Sequence, residues 1–124
     1  MKATKGASIF VVDDNEDIRE MLSMAVELAG REAYAFADGR AALMALGSDA
    51  PLPGLILLDL MMPGMNGREF LRARSLDPRV ASIPVLVISG DGHLEEKVAE
   101  VGATGYLRKP IELEALLAAV DLYA

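Results

Sequence analysis

Carboxylates close two of the apolar runs in this chain: Ser8-Ile9-Phe10-Val11-Val12 runs into Asp13-Asp14, and Leu55-Ile56-Leu57-Leu58 runs into Asp59. A third run, Ile83 to Ile88, ends on the hydroxyl of Ser89, and a fourth, Gly105 to Arg108, ends on the amine of Lys109. If these ends meet, Asp13, Asp14 and Asp59 repel one another unless a cation sits among them, and a hard divalent ion with oxygen ligands is the direct answer. Two acids, a carbonyl and several waters suit the octahedral shell of Mg²⁺ better than a Ca²⁺ cage. No Asp-x-Asp-x-Asp-Gly loop is present, His93 is the only histidine and cysteine is absent, so Ca²⁺-loop and zinc readings are poor. A lysine and a hydroxyl facing such an ion complete a pocket for an anion with several oxygens, a phosphoryl group. A carboxylate in that pocket can also act as nucleophile and form an acyl phosphate.

The elements that must position these groups follow from the pattern of the chain. Four large aliphatics before Asp59 read as a strand buried on both faces, because a half-exposed strand alternates apolar with polar. Met-Met-Pro-Gly then cannot continue a ladder, so Asp59 sits at the mouth of a loop. Residues 8 to 12 repeat the pattern. Asn15 caps a helix that starts with the acids Glu16 and Asp17, carries Ile18, Met21, Leu22, Ala25, Leu28 and Ala29 at helical spacing, and stops at Gly30. Glu32 to Phe36 is a weaker strand, placed at the sheet edge, and Asp38-Gly39 opens a helix that ends at Gly47.

Asn66-Gly67 caps a third helix, about Arg68 to Leu76, whose Arg68, Arg72 and Arg74 read as a solvated face. Leu94 to Val101 is a short helix closed by Gly102, and Ile111 to Tyr123 is a final amphipathic helix with Leu113, Leu116, Leu117 and Val120 inward. Five strand-then-helix repeats imply an α/β fold with a doubly wound parallel sheet and right-handed crossovers. Every strand then ends on one edge, which gathers Asp13, Asp14, Asp59, Ser89 and Lys109.

Composition narrows the classes. The 124 residues are enough for one domain with a single core, and no apolar run reaches the roughly eighteen residues that cross a bilayer. A soluble, cytoplasmic protein is expected, and the lack of cysteine fits a reducing compartment. The formal net charge of -7 disfavours direct nucleic-acid binding, which depends on neutralising phosphates with Lys and Arg.

The paired acids Asp13-Asp14, the Leu-Asp-Leu-Met-Met-Pro-Gly-Met-Asn-Gly stretch around Asp59, the strand-end hydroxyl Ser89 and Gly105-Tyr106-Leu107-Arg108-Lys109-Pro110 together resemble the receiver domain of bacterial response regulators. The likeness runs over residues 7 to 123 and treats 1–124 as a single receiver domain. It implies a flavodoxin-like (βα)5 sheet with strand order 2-1-3-4-5. It implies Asp59 as phosphoacceptor, taking its phosphoryl group from a histidine kinase or histidine phosphotransfer protein. It also implies Mg²⁺ bound directly by Asp14, Asp59 and the Met61 backbone carbonyl and through water by Asp13. By the same likeness Lys109 contacts a phosphoryl oxygen, Ser89 swings toward the phosphate and Tyr106 follows it inward, changing the surface of the fourth helix, fifth strand and fifth helix for a downstream effector. A cis Lys109-Pro110 bond is implied as well.

Such a chain is a signalling domain that catalyses its own phosphorylation and dephosphorylation rather than a conventional enzyme. Homodimerisation through the last helices stays open. Gly90 stands where the family commonly has alanine, which opens the phosphoryl site to water or a phosphatase. Met61 and Asp91 fall at positions that tune hydrolysis in the family, Met61 as a shield and Asp91 as a group that orients water. An aspartyl-nucleophile phosphatase of the haloacid dehalogenase type wants a second acid two residues after the nucleophile, where this chain has Met61. A flavin carrier needs a hydroxyl-rich phosphate loop where Asp13-Asp14-Asn15-Glu16 would repel a phosphate. A phosphorylation-independent scaffold is the remaining alternative, and the intact acids and lysine speak against it.

Overall fold

The aliphatic runs pair with one another along a single parallel sheet. The computed structural model describes residues 8–48, 51–60, 67–90 and 94–123. Its elements alternate strictly: β1 (Ile9–Val12), α1 (Glu16–Leu28), β2 (Ala33–Phe36), α2 (Gly39–Leu46), β3 (Leu55–Asp59), α3 (Gly67–Ser75), β4 (Val85–Ser89), α4 (Leu94–Val101), β5 (Gly105–Arg108) and α5 (Leu113–Tyr123). The strand order is β2-β1-β3-β4-β5, the order the sequence reading implied.

Side chains on successive strand residues point to opposite faces, so the unbroken aliphatic runs feed two cores at once. Phe10, Val12, Ile56, Leu58, Val85 and Val87 pack on one face with Ala42 and Leu46 of α2 and Phe70 and Leu71 of α3. Ile9, Val11, Leu55, Leu57, Leu86 and Ile88 pack on the other with Leu22, Ala25 and Val26 of α1 and Leu116 and Val120 of α5. Helix starts follow the capping residues. Asn15 Oδ1 accepts from Ile18 N at 3.0 Å and Asp38 Oδ1 from Ala41 N at 2.8 Å. Gly30 and Gly102 take positive φ, 83° and 77°, where α1 and α4 end.

Three helix-face expectations need correction. Leu28 is 73% exposed and Leu113 is 50% exposed. Neither reaches the sheet: with Met21 and Met24 they border an apolar groove of about 370 Å³ between α1 and α5, while Val26, outside the expected set, takes the core position. Arg74, expected on a solvated face, is buried and donates through Nη2 to the Ile83 carbonyl. α3 is amphipathic in an unusual sense, with an arginine stem filling an inner position. Element ends moved slightly, α5 opening at Leu113 rather than Ile111 and β4 running Val85–Ser89.

Gly67 makes the tightest approach among the described glycines. Its N–H donates to the Leu60 carbonyl at 3.0 Å, and a Cβ built on it would lie 2.8 Å from Leu60 Cα. The chain leaving β3 and the first turn of α3 therefore touch backbone to backbone. Gly67→Ala is expected to lower stability by about 1–3 kcal/mol, the usual cost of overpacking, read as a lower urea midpoint with an unchanged slope. Leu57→Ala, at a fully buried position, is expected to cost about 2–5 kcal/mol in the same assay.

Candidate functional site

Register places the chemistry. Val12 pairs with Leu58, so Asp13 and Asp59, one residue further along each strand, end level on neighbouring strands. Asp59 in turn pairs with Ile88, and Ser89 pairs with Arg108, which brings Ser89 and Lys109 to the same edge. Lys109 N donates to the Ser89 carbonyl at 2.9 Å and fixes where the lysine leaves the sheet. The Lys109-Pro110 peptide bond that follows is cis, as the resemblance implied.

The result is one small acidic cluster at the carboxyl edge of the sheet. Carboxylate oxygens of Asp13, Asp14 and Asp59 lie within 4.8 Å of one another. Asp13 is 1% exposed and Asp59 4%, while Asp14 faces solvent. The Lys109 ammonium stands 3.8 Å from Asp13 Oδ2 and 3.9 Å from Asp59 Oδ1. These are ion-pair distances, longer than hydrogen bonds. Asp13 Oδ2 is sealed from solvent and takes no hydrogen bond.

The two oxygens of Asp13 have separate jobs. Oδ1 accepts from Asn15 N at 2.9 Å and shapes the turn into α1, whereas Oδ2 has no hydrogen bond. Arg19, which the sequence reading did not single out, donates through Nη1 to the Asp13 carbonyl at 3.0 Å. Nothing but its position in the first turn or so of α1 signals that contact. Ser89 is buried at the end of β4. Tyr106 is half-buried against the core face that holds Val87, its partner in register. The Arg108 guanidinium lies 5.8 Å from the Tyr106 ring centroid, a cation–π contact the sequence reading did not anticipate. Met61 and Asp91, to which roles were also given, lie outside the described residues.

Comparison with known proteins agrees with this geometry. Residues 9–121 match the model of the response regulator receiver domain. The chain belongs to that family. This receiver is 38% identical over 115 residues to the phosphate regulon transcriptional regulatory protein PhoB of Pseudomonas aeruginosa, covering 91% of this chain and 49% of that protein. It is 34% identical over 115 residues to the DNA-binding dual master transcriptional regulator RpaA of Synechocystis, covering 90% of this chain and 46% of that one. The receiver thus spans about half the length of the curated relatives it matches. Among solved structures, the chemotaxis response regulator CheY4 of Vibrio cholerae superposes with a TM-score of 0.87 at 34% identity, over 97% of this chain and 100% of that one. The chain is thereby a receiver domain of two-component signalling, with the CheY-like flavodoxin fold.

The residues present fit a divalent cation on their own terms. Three carboxylates cluster here, the Lys109 ammonium lies at ion-pair distance from two of them, and the buried Asp13 Oδ2 has no hydrogen-bond donor, so the site offers closely spaced anionic oxygens to a cation. Mg²⁺ at ten times its Kd is expected to add about 1.4 kcal/mol of stability, a rise of roughly 5 °C in Tm for a domain of this size. A chelator should reverse the rise, and Asp14→Asn, at an exposed position, should abolish it in a thermal melt.

Proposed function

We propose that this receiver accepts a phosphoryl group on Asp59 from the phosphohistidine of a kinase or phosphotransfer protein and passes the signal through the surface formed by α4, β5 and α5. The observation that carries the reading is the convergence of Asp13, Asp14, Asp59 and Lys109 at one edge of the sheet. An Asp59 carboxylate oxygen attacks phosphorus, the new O–P bond forms as the P–N bond to the donor imidazole breaks, and the departing nitrogen keeps the bond pair. Asp13, Asp14 and Asp59 would hold Mg²⁺, with the Met61 carbonyl as the further ligand implied by the family resemblance. When bound, that ion neutralises charge on the phosphoryl oxygens.

The rest of the work belongs to the chain. Lys109 already lies beside the Asp59 carboxylate, so its ammonium can turn to a phosphoryl oxygen with little travel, a charge-assisted hydrogen bond replacing a loose ion pair. Burial of Asp59 excludes bulk water from the carboxyl carbon side of the acyl phosphate. Ser89 can donate its hydroxyl to the phosphate. Its departure would give Tyr106 room to move inward, away from the Arg108 guanidinium. The receiver domain so proposed occupies 1–124 and works in the cytoplasm; among the described residues no helix is long and apolar enough to cross a membrane. Nucleic-acid recognition, where such a receiver serves transcription, would fall to a separate part of the signalling protein or to a partner.

Incubation with Mg²⁺ and acetyl phosphate should add one phosphoryl group by intact mass, absent in Asp59→Asn; a single addition persisting in that variant would end the assignment. Gly90→Ala is sterically open, since the added Cβ would meet only Lys109 Cβ at 3.8 Å. It is expected to slow loss of the phosphoryl group severalfold, on the order of 1 kcal/mol in barrier, followed by mass spectrometry over time.

A further inference from the structure

A second charged site, unrelated to the acid cluster, lies between α3 and α4. A groove of about 350 Å³ there is lined by Arg68, Leu71, Arg72, Arg74, Glu100 and Gly102 among others. α3 leaves the phosphorylation edge at Gly67 and rises 1.5 Å per residue, so Arg74 lies roughly 10 Å down the helix from that edge.

The three guanidiniums are not equivalent. Arg68 is committed to Glu100, Nη1 to Oε1 at 2.5 Å, across the mouth of the groove. Among the described residues, neither Arg72 nor Arg74 has a carboxylate partner. Arg74 is only 7% exposed. Its Nη2 donates to the Ile83 carbonyl and its Nε is sealed without a partner, which leaves Nη1 as the nitrogen that can meet a ligand in the groove. Burial lowers the Arg74 guanidinium from its ordinary value, the mark of a cation stripped of water and given no counter-charge. A buried cation without an anion is costly to keep, and a fixed guanidinium fork is matched to the oxygens of a carboxylate or phosphate. If Arg74 served only to tether α3 to the turn before β4, a neutral donor would do so without burying charge. Leu71 and Gly102 add an apolar floor and an open backbone to this cationic wall.

We propose that the α3–α4 groove binds a small oxyanion, a molecule bearing carboxylate or phosphate groups, through Arg72 and Arg74. The site is independent of the phosphoryl site. The test titrates the ¹⁵N-labelled full chain, without Mg²⁺ and at constant ionic strength, with citrate in one arm and pyrophosphate in the other. Saturable shifts of the Arg72, Ser75 and Gly102 amides are expected, and the tighter arm names the anion. Affinity should fall about tenfold in Arg72→Gln and in Arg74→Met, the loss of one charge-assisted contact, and should persist in Lys109→Ala. Arg72 is exposed, so Arg72→Gln decides the matter even if Arg74→Met fails to fold. No shifts in either arm, shifts confined to Asp13, Asp59 and Lys109, or unchanged affinity in Arg72→Gln would overturn the site.

Discussion

Negative charge held at one edge of the sheet is the constraint to which the rest of the receiver answers. Asp13 and Asp59 are withdrawn from water beside Asp14, and one ammonium stands nearly 4 Å from each of the buried pair. Carboxylates are seldom sealed unless something binds them, because desolvation penalises the ionised form by several kcal/mol. The acid cluster rests on two close-packed apolar layers, one on each face of the sheet. Burial of strand aliphatics on both faces, at about 25 cal/mol for each Å² removed from water, supplies what the acid cluster withholds.

That arrangement also links the groups that the proposed switch would use. An ion-paired lysine, a buried hydroxyl and a half-buried tyrosine are connected through neighbouring strand ends, with backbone hydrogen bonds holding β4 and β5 in register beneath them. In the proposed function, a new anion at Asp59 would act on side chains whose backbones are tied into the sheet. The proposed adjustment would then be taken up by Tyr106 and the helices that flank β5. The Arg108 contact with the Tyr106 ring favours the ring where it lies, since a cation is attracted to an aromatic face.

The α3 arginines show a different use of charge. Arg68 faces Glu100 at the surface, where an ion pair is worth little. Arg74 is buried a turn and a half further on, where its charge is expensive. Both are arginines on one short helix, six residues apart, and only the packing of α3 on β4 and the turn before it separates their fates.

Local chemistry in the chain determined the strands, the caps and the identity of the acid, hydroxyl and amine groups. Runs such as Leu55 to Leu58 have no polar face to offer water, and Asn15, Asp38, Gly30 and Gly102 each satisfy or end a helix by themselves. Those signals act over four or five residues, so sequence alone carries them. Which helix residues face the core was less legible: Leu28 and Leu113 belong to apolar stripes yet border a surface groove, and Arg74 lies inside. Helical spacing gives the direction of a side chain, whereas burial depends on what the neighbouring helix covers. The separation of Asp13 into one bonded and one orphaned oxygen, the reach of Arg19 to its carbonyl and the seat of Arg108 over Tyr106 were decided by tertiary structure alone. They depend on distances of a few ångströms between atoms whose positions only the packed sheet and helices define.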